Sequence, residues 1–226
     1  MKYKILLFDA DHTLFDFKKC EYHALREALE ELSLPNDDRY IDGYSEINEK
    51  MWKALERGEI TKERLALKRF EVFAEEFSLT CNAYELAELY KERLSQQTYL
   101  FDGVEELLAR LYGAFRMFII TNGIKSVQEG RMSRSQISKY FEKIFISEVI
   151  GYEKPSKSFF DAVKKQIPDF DIRGSLVIGD SLTSDIKGGI NAGIDTCWYN
   201  PDGKEAPSDM PITYTVKNLS ELLDII

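Results

Sequence analysis

Two periods of hydrophobic and polar positions divide this chain. Ile5-Leu6-Leu7-Phe8 is apolar throughout and stops abruptly at Asp9-Ala10-Asp11. A short unbroken run of this kind reads as a strand buried on both faces. From about Phe17 to Gln97 the period is helical, and no stretch makes a good strand. Tyr22, Leu25, Leu29 and Leu32 form a first stripe, ended by Ser33 to Asp38 with Pro35. Tyr44, Ile47, Met51 and Leu55 form a second, stopped near Gly58; Leu65, Phe70, Phe73 and Phe77 form a third. Asn82 is placed to cap a fourth helix carrying Leu86, Leu89, Tyr90 and Leu94. Such stripes predict a small helical bundle whose interior they fill.

From Phe101-Asp102-Gly103 onward, helices and strands alternate. The expected helices are Val104 to Leu111, Ser126 to Lys139, Ser158 to Ile167 and Ser184 to Ala192, with a short one at the end. The expected strands are Phe115 to Thr121, Lys143 to Ile146, Ser175 to Asp180, Thr196 to Tyr199 and Ile212 to Val216. That alternation implies βαβ units and a parallel sheet. The expected fold is α/β. A Rossmann-like parallel-sheet core takes residues 1–16 and 99–226, and an α-helical cap domain, residues 17–98, is inserted after the first strand.

The strand ends carry the candidate chemistry, because ligands of open α/β sheets bind at the carboxyl ends of strands. Asp9 and Asp11 leave the first strand. Carboxylates this close repel unless a cation sits between them; alternatively they cap a turn or the next helix. Thr121-Asn122-Gly123 ends the second strand. Its backbone amides can cradle an anion and Thr121 adds a hydroxyl, although an ordinary turn uses the same residues. Lys154 precedes Pro155, which biases its backbone to an extended form. Held at the catalytic edge it can neutralise phosphate and carboxylates together; otherwise it is a solvated charge. Asp180 leaves a fourth strand and Asp185 opens a helix, where a cap is the plain alternative. Magnesium favours one or two direct carboxylates, waters and phosphate oxygens. Asp9 and Asp180 directly, with Asp185 through water, suit that ion. His12 and His23 are the only histidines, and no His/Cys cluster offers a zinc site. His12 is read as a spacer facing away from the metal.

Composition narrows the class. The chain has 226 residues, 44% hydrophobic and 31% charged, a length for one large domain or a domain with an insertion. A net charge of -9, from 39 acidic against 30 basic residues, argues against general nucleic-acid or anionic-membrane binding. A small phosphorylated metabolite stays compatible, since a metal and a few cations invert the local field. Cys20, Cys81 and Cys197, an odd count without metal-ligand spacing, argue for reduced thiols. With no signal-peptide pattern and no bilayer-length apolar stretch, a cytoplasmic protein is expected.

In order, Asp-x-Asp-x-Thr at Asp9 to Thr13, Thr-Asn-Gly at 121–123, Lys-Pro at 154–155 and Gly-Asp-x-x-x-x-Asp at 179–185 resemble the motifs of the haloacid dehalogenase (HAD) superfamily of phosphohydrolases. The resemblance covers the core from Tyr3 to about Tyr199, and the helical insertion resembles that superfamily's C1-type cap. It implies that Asp9 is a nucleophile forming an aspartyl-phosphate, and that Asp11 acts first as general acid and then as base. It implies Mg2+ held by Asp9, the Asp11 backbone carbonyl and Asp180, with Asp185 behind them. Thr121 and Lys154 would hold the phosphoryl oxygens, helped by the Asn122 and Gly123 amides. The dehalogenase branch lacks an acid where Asp11 stands, and the phosphonate-cleaving branch uses a cap lysine instead, so the resemblance disfavours both.

Phe8 to Phe15, Ile120 to Gly123 and Gly188 to Gly193, with Met51 to Thr61 in the insertion, are similar to the bacterial pyrimidine 5′-nucleotidases that remove noncanonical nucleoside monophosphates. That likeness implies a pyrimidine nucleoside monophosphate as substrate. Phe15, Phe17 and Trp52 have rings able to stack on a base, but their spacing makes cap packing the first expectation. The alternatives on the same core are a broad sugar-phosphate phosphatase, a phosphomutase and a catalytically idle binding protein. Asp16 to Lys19 and Thr98 to Gly103 are the expected hinges for closure of the cap.

Overall fold

The structure is a computed structural model and describes residues 2–226; Met1, the first residue of the expected core range, lies outside the described residues. Among the described residues the strands are β1 (Ile5–Phe8), β2 (Arg116–Thr121), β3 (Lys143–Ile146), β4 (Ser175–Gly179), β5 (Asp195–Tyr199) and β6 (Tyr214–Val216). They form one sheet in the order β3-β2-β1-β4-β5-β6, with every pairing parallel.

Alternate residues of the central strands feed two separate apolar layers, as a period of two requires. Leu6, Phe8, Met117, Ile119, Leu176 and Ile178 pack with α5 (Val104–Leu111) on one face. Ile5, Leu7, Phe118, Ile120 and Val177 pack with α8 (Lys157–Gln166) on the other. In register, Phe8 stands level with Ile119 of β2 and Ile178 of β4. The next residues up therefore emerge side by side. Because β2 and β4 flank β1 on opposite sides, Asp9 leaves the sheet at its topological switch point.

Between β1 and α5 run α1 (Phe17–Glu31), α2 (Asp38–Glu56), α3 (Lys62–Glu76) and α4 (Ala83–Leu94). Asp16, Asp37, Thr61 and Asn82 cap their N-termini, each side chain accepting a backbone N–H of the first turn. The four helices bury their own core, in which Tyr44, Phe70, Phe73 and Tyr90 meet at ring separations of 4.9 to 5.4 Å. The two connections to the sheet lie against each other. Asp16 N–H donates to the Tyr99 carbonyl at 3.0 Å, and Phe101 N–H donates to the Leu14 carbonyl at 3.1 Å.

Several elements depart from expectation. The helix expected from Ser126 to Lys139 is α6 (Lys125–Arg134), then an extended Ser135, then a 3-10 turn Gln136–Tyr140. Val127 packs into the bundle core while Ile137 is buried in the sheet layer, and the break at Ser135 lets the segment serve both. A short α7 (Ser147–Ile150) follows β3 directly. The last strand is shorter than expected because Thr213 pairs with Thr196 through side-chain hydroxyls, at 3.1 and 3.4 Å, in place of ladder bonds. Among the described residues no helix is long and apolar enough to cross a membrane.

Candidate active site

Three carboxylates converge above β1. Asp9 follows β1, Asp180 follows β4, and Asp185 lies in a π-helical turn, Leu182–Ile186, that leads into α9 (Lys187–Ala192). The expected helix from Ser184 thus begins with a widened turn. There the Ser181 carbonyl accepts both Asp185 N–H at 3.0 Å and Ile186 N–H at 3.1 Å. Widened turns of this kind recur at functional sites. Gly179 makes room for Asp185, since a Cβ there would sit 2.4 Å from its carboxyl. One ligand oxygen from each of Asp9, Asp180 and Asp185 lies within 4.8 Å of the others, and among the described residues no His or Cys joins them.

Lys154 is buried between two of these acids. Its ammonium donates to Asp9 Oδ1 at 2.7 Å, to Asp185 Oδ1 at 2.6 Å and to the Ile120 carbonyl at 2.8 Å. Thr13 donates to the other Asp9 oxygen at 3.2 Å and lies 3.5 Å from Asp180 Oδ1. One ammonium does not balance three carboxylates. Burial, and then the charge of Asp185, raise the Asp9 carboxyl to about 7 despite Lys154. Burial, with Asp9 and Asp185, pushes Asp180 well above the ordinary carboxylate range. Burial works against the Lys154 ammonium, but Asp185 and Asp9 outweigh it and raise its pKa. Two charges about 4 Å apart interact by about 4 kcal/mol at an effective dielectric of about 20. A divalent cation among these hard oxygens relieves that repulsion, so the donor set fits magnesium.

The second strand end supplies the anion side. Thr121 is buried, and its hydroxyl accepts Gly123 N–H at 2.9 Å. Asn122 Nδ2 donates to the Lys154 carbonyl at 2.9 Å, and Lys154 N–H donates back to Asn122 Oδ1 at 2.9 Å. The Asn122 side chain is therefore committed to fixing the lysine loop, which leaves its backbone amide as the group free to meet an anion.

Asp11 stands outside the three-carboxylate cluster. Arg131 of α6 forms an ion pair with one of its oxygens, and Gln128 Nε2 donates to the other at 2.6 Å. Arg131 is fully buried, donates to the Gln97 carbonyl at 3.1 Å, and covers the Phe15 ring at 4.0 Å. Phe15 is thus packed beneath an arginine and is not available to a base. The His12 backbone is left-handed at φ 63°, and its ring lies 5.1 Å from that of Phe17. Phe17 and Trp52 are half-buried.

Sequence reasoning missed Arg131, Gln128 and Lys62. The first two lie on the helix expected from Ser126, where no sequence neighbour marks them out. Lys62, at the start of α3, crosses from the bundle to the sheet loops, donating to the Asn122 carbonyl and to Ser147 Oγ, both at 2.7 Å. A signal existed, because a cation in the first turn of a helix faces the positive end of the dipole and asks for a partner.

A family model described as haloacid dehalogenase-like hydrolase matches residues 6–199. The chain is 40% identical over 227 residues to pyrimidine 5′-nucleotidase PynA of Streptococcus pneumoniae (strain ATCC BAA-255 / R6), a match covering 100% of this chain and 96% of that one. It is 34% identical over 226 residues to pyrimidine 5′-nucleotidase YjjG of Escherichia coli (strain K12), covering 100% and 99%. The crystal structure of the HAD-hydrolase YfnB from Bacillus subtilis, bound to magnesium and described as revealing interdomain movement, is similar with a TM-score of 0.94 at 37% identity, covering 100% of this chain and 99% of that one.

Proposed function

The chain belongs to the haloacid dehalogenase-like hydrolase family, and on that footing we propose that it is a Mg2+-dependent phosphomonoester hydrolase. It acts through an aspartyl-phosphate on Asp9, with pyrimidine nucleoside 5′-monophosphates as substrates. The observation that carries the reaction class is Asp9 itself. It is a buried carboxylate at the sheet's switch point, with one oxygen held by Lys154 and the other by Thr13, beside two further carboxylates. The substrate class rests on full-length similarity to PynA and YjjG.

The Asp9 and Asp180 carboxylates and the Asp11 carbonyl would hold the metal, with Asp185 behind them. When bound, the ion supplies charge neutralisation between the anionic nucleophile and the anionic phosphate. Lys154 neutralises the same repulsion from the other side. Thr121 and the Asn122 and Gly123 amides bind phosphoryl oxygens, and binding displaces the Gly123 N–H from its own threonine. Asp9 forms a bond to phosphorus as the ester P–O bond breaks in line. Asp11 gives its proton to the departing oxygen and then takes one from the water that frees Asp9. Arg131 and Gln128 bind both Asp11 oxygens, so proton delivery requires at least one of these contacts to open. The products are a nucleoside and orthophosphate.

The test is phosphate release from UMP, dUMP, dTMP and a set of sugar phosphates, with and without Mg2+, against Asp9→Asn as blank. The expected result is Mg2+-dependent release favouring the pyrimidine nucleotides and absent from the blank. A flat profile removes the substrate class and leaves the hydrolase; no Mg2+-dependent release overturns both.

A further inference from the structure

Lys62 is a bundle residue whose bonding partners all lie on the sheet domain. It is the first residue of α3, and only 8% of it is exposed. Its ammonium donates to the Asn122 carbonyl and Ser147 Oγ at 2.7 Å and pairs with Glu153 at 3.0 Å. Three acceptors meet three N–H groups, so the ammonium is fully satisfied. A buried ammonium at the unfavourable end of a helix is costly in isolation, and these contacts are what offset that cost.

The partners are not scattered. Asn122 immediately precedes Gly123, and Glu153 immediately precedes Lys154. The Asn122 side chain already clamps the Lys154 backbone through two hydrogen bonds of 2.9 Å. One ammonium from the bundle therefore pins both loops that would grip phosphate. A further polar contact between bundle and sheet domain, Thr183 of the widened turn donating to Glu56 of α2 at 2.8 Å, is exposed and contributes less.

We propose that Lys62 is a positioning residue for phosphoryl transfer. It makes the order of the Thr121–Gly123 and Glu153–Lys154 loops conditional on the docking of α3, so the phosphate site is complete only with the bundle seated. The proposal rests on the hydrolase reading above. Lys62 does not touch the phosphoryl group, and with every N–H engaged it is not placed as a free amine nucleophile.

The experiment compares full-length wild type with Lys62→Met, Lys62→Arg, Ser147→Ala and Lys68→Met. It reads kcat and KM for phosphate release from UMP, melting temperature, and backbone hydrogen exchange at residues 119–125 and 150–156 without substrate. Lys62→Met is expected to lower kcat/KM tenfold or more and to speed exchange severalfold in those two loops. Lys62→Arg regains part of both. Ser147→Ala, which removes one acceptor and keeps the charge, gives a smaller change in the same direction. Lys68→Met removes a half-exposed charge from the same helix and leaves both readouts unchanged. A merely structural lysine would speed exchange throughout the bundle in step with a lower melting temperature, and that pattern overturns the proposal. So does a kcat/KM for Lys62→Met within twofold of wild type. If Lys62→Met does not fold, Ser147→Ala decides, and unchanged loop exchange there overturns the idea. If wild type releases no phosphate from any monoester, the hydrolase reading fails, while loop exchange still decides whether Lys62 orders the loops.

Discussion

Lys154 sits where the electrostatics of the site are decided. Its single charge is shared between Asp9 and Asp185 in a buried setting, and removing one member of such a group strands the others. Lys154→Met is expected to destabilise the metal-free protein by about 3–5 kcal/mol, a fall of roughly 10 °C in melting temperature by calorimetry. Mg2+ should recover part of that loss, since it supplies positive charge to the same carboxylates, while phosphate release stays abolished. At this scale Asp9, Thr121 and Asp180 stood out as candidates because each ends or follows an apolar run that a strand must bury, whereas Lys154 and Asp185 stood out only through their place in the motif order. Arg131 was not legible. Its partners Asp11, Gln97 and Cys20 are distant in sequence, and only the folded packing of α6 against the connections brings them together.

Helices and turns carry a different kind of information. The N-cap of α4 was readable, because a side-chain oxygen ahead of an apolar stripe has a local partner in the next turn. Asn82 accepts Tyr84 N–H at 3.0 Å. Asn82→Ala is expected to cost about 1 kcal/mol and lower the melting temperature by about 2–4 °C, with phosphate release unaffected. The widened turn before α9 was not readable, since nothing in Leu182 to Ile186 distinguishes it from an ordinary first turn. Its requirement shows instead at Gly179, where any side chain meets the Asp185 carboxyl. Gly179→Ala is expected to keep the fold, displace Asp185 and reduce kcat/KM by tenfold or more, measured beside an unchanged far-UV circular dichroism spectrum.

For the whole molecule the site is a source of pH-dependent stability. Asp9 titrates near 7 in the folded chain against 3.8 as its ordinary value, and Asp180 is raised as well. Across that window the folded state holds protons that the unfolded state has released. From Asp9, stability therefore falls as pH rises from about 4 to about 7, and the raised Asp180 adds to the fall in the same direction. The melting temperature of the metal-free protein is expected to drop over this range. Mg2+ should flatten the slope, because it binds the ionised carboxylates of the folded chain only. Asp9→Asn with Asp180→Asn should flatten it without metal. A melting temperature that rises steadily from pH 4 to 7 in metal-free wild type contradicts this account.

Local chemistry and period were sufficient for the α/β order and the helical insertion, because a strand's apolar run, a helix stripe and a cap each report on a few neighbouring residues. The family resemblance carried the sequence reading as far as a metal-assisted hydrolase, with Asp9, Asp11, Thr121, Asn122, Gly123, Lys154, Asp180 and Asp185 as its candidates. Only the tertiary structure decided how those residues meet: Lys154 shared between two acids, Asn122 turned to clamp the lysine loop, Asp11 bound to Arg131 and Gln128, and Lys62 reaching across from the bundle. Each of these is a contact between polar groups far apart in the chain. A polar residue's sequence neighbourhood leaves open whether water or a buried partner satisfies it, and that choice is made by the packing of the elements around it.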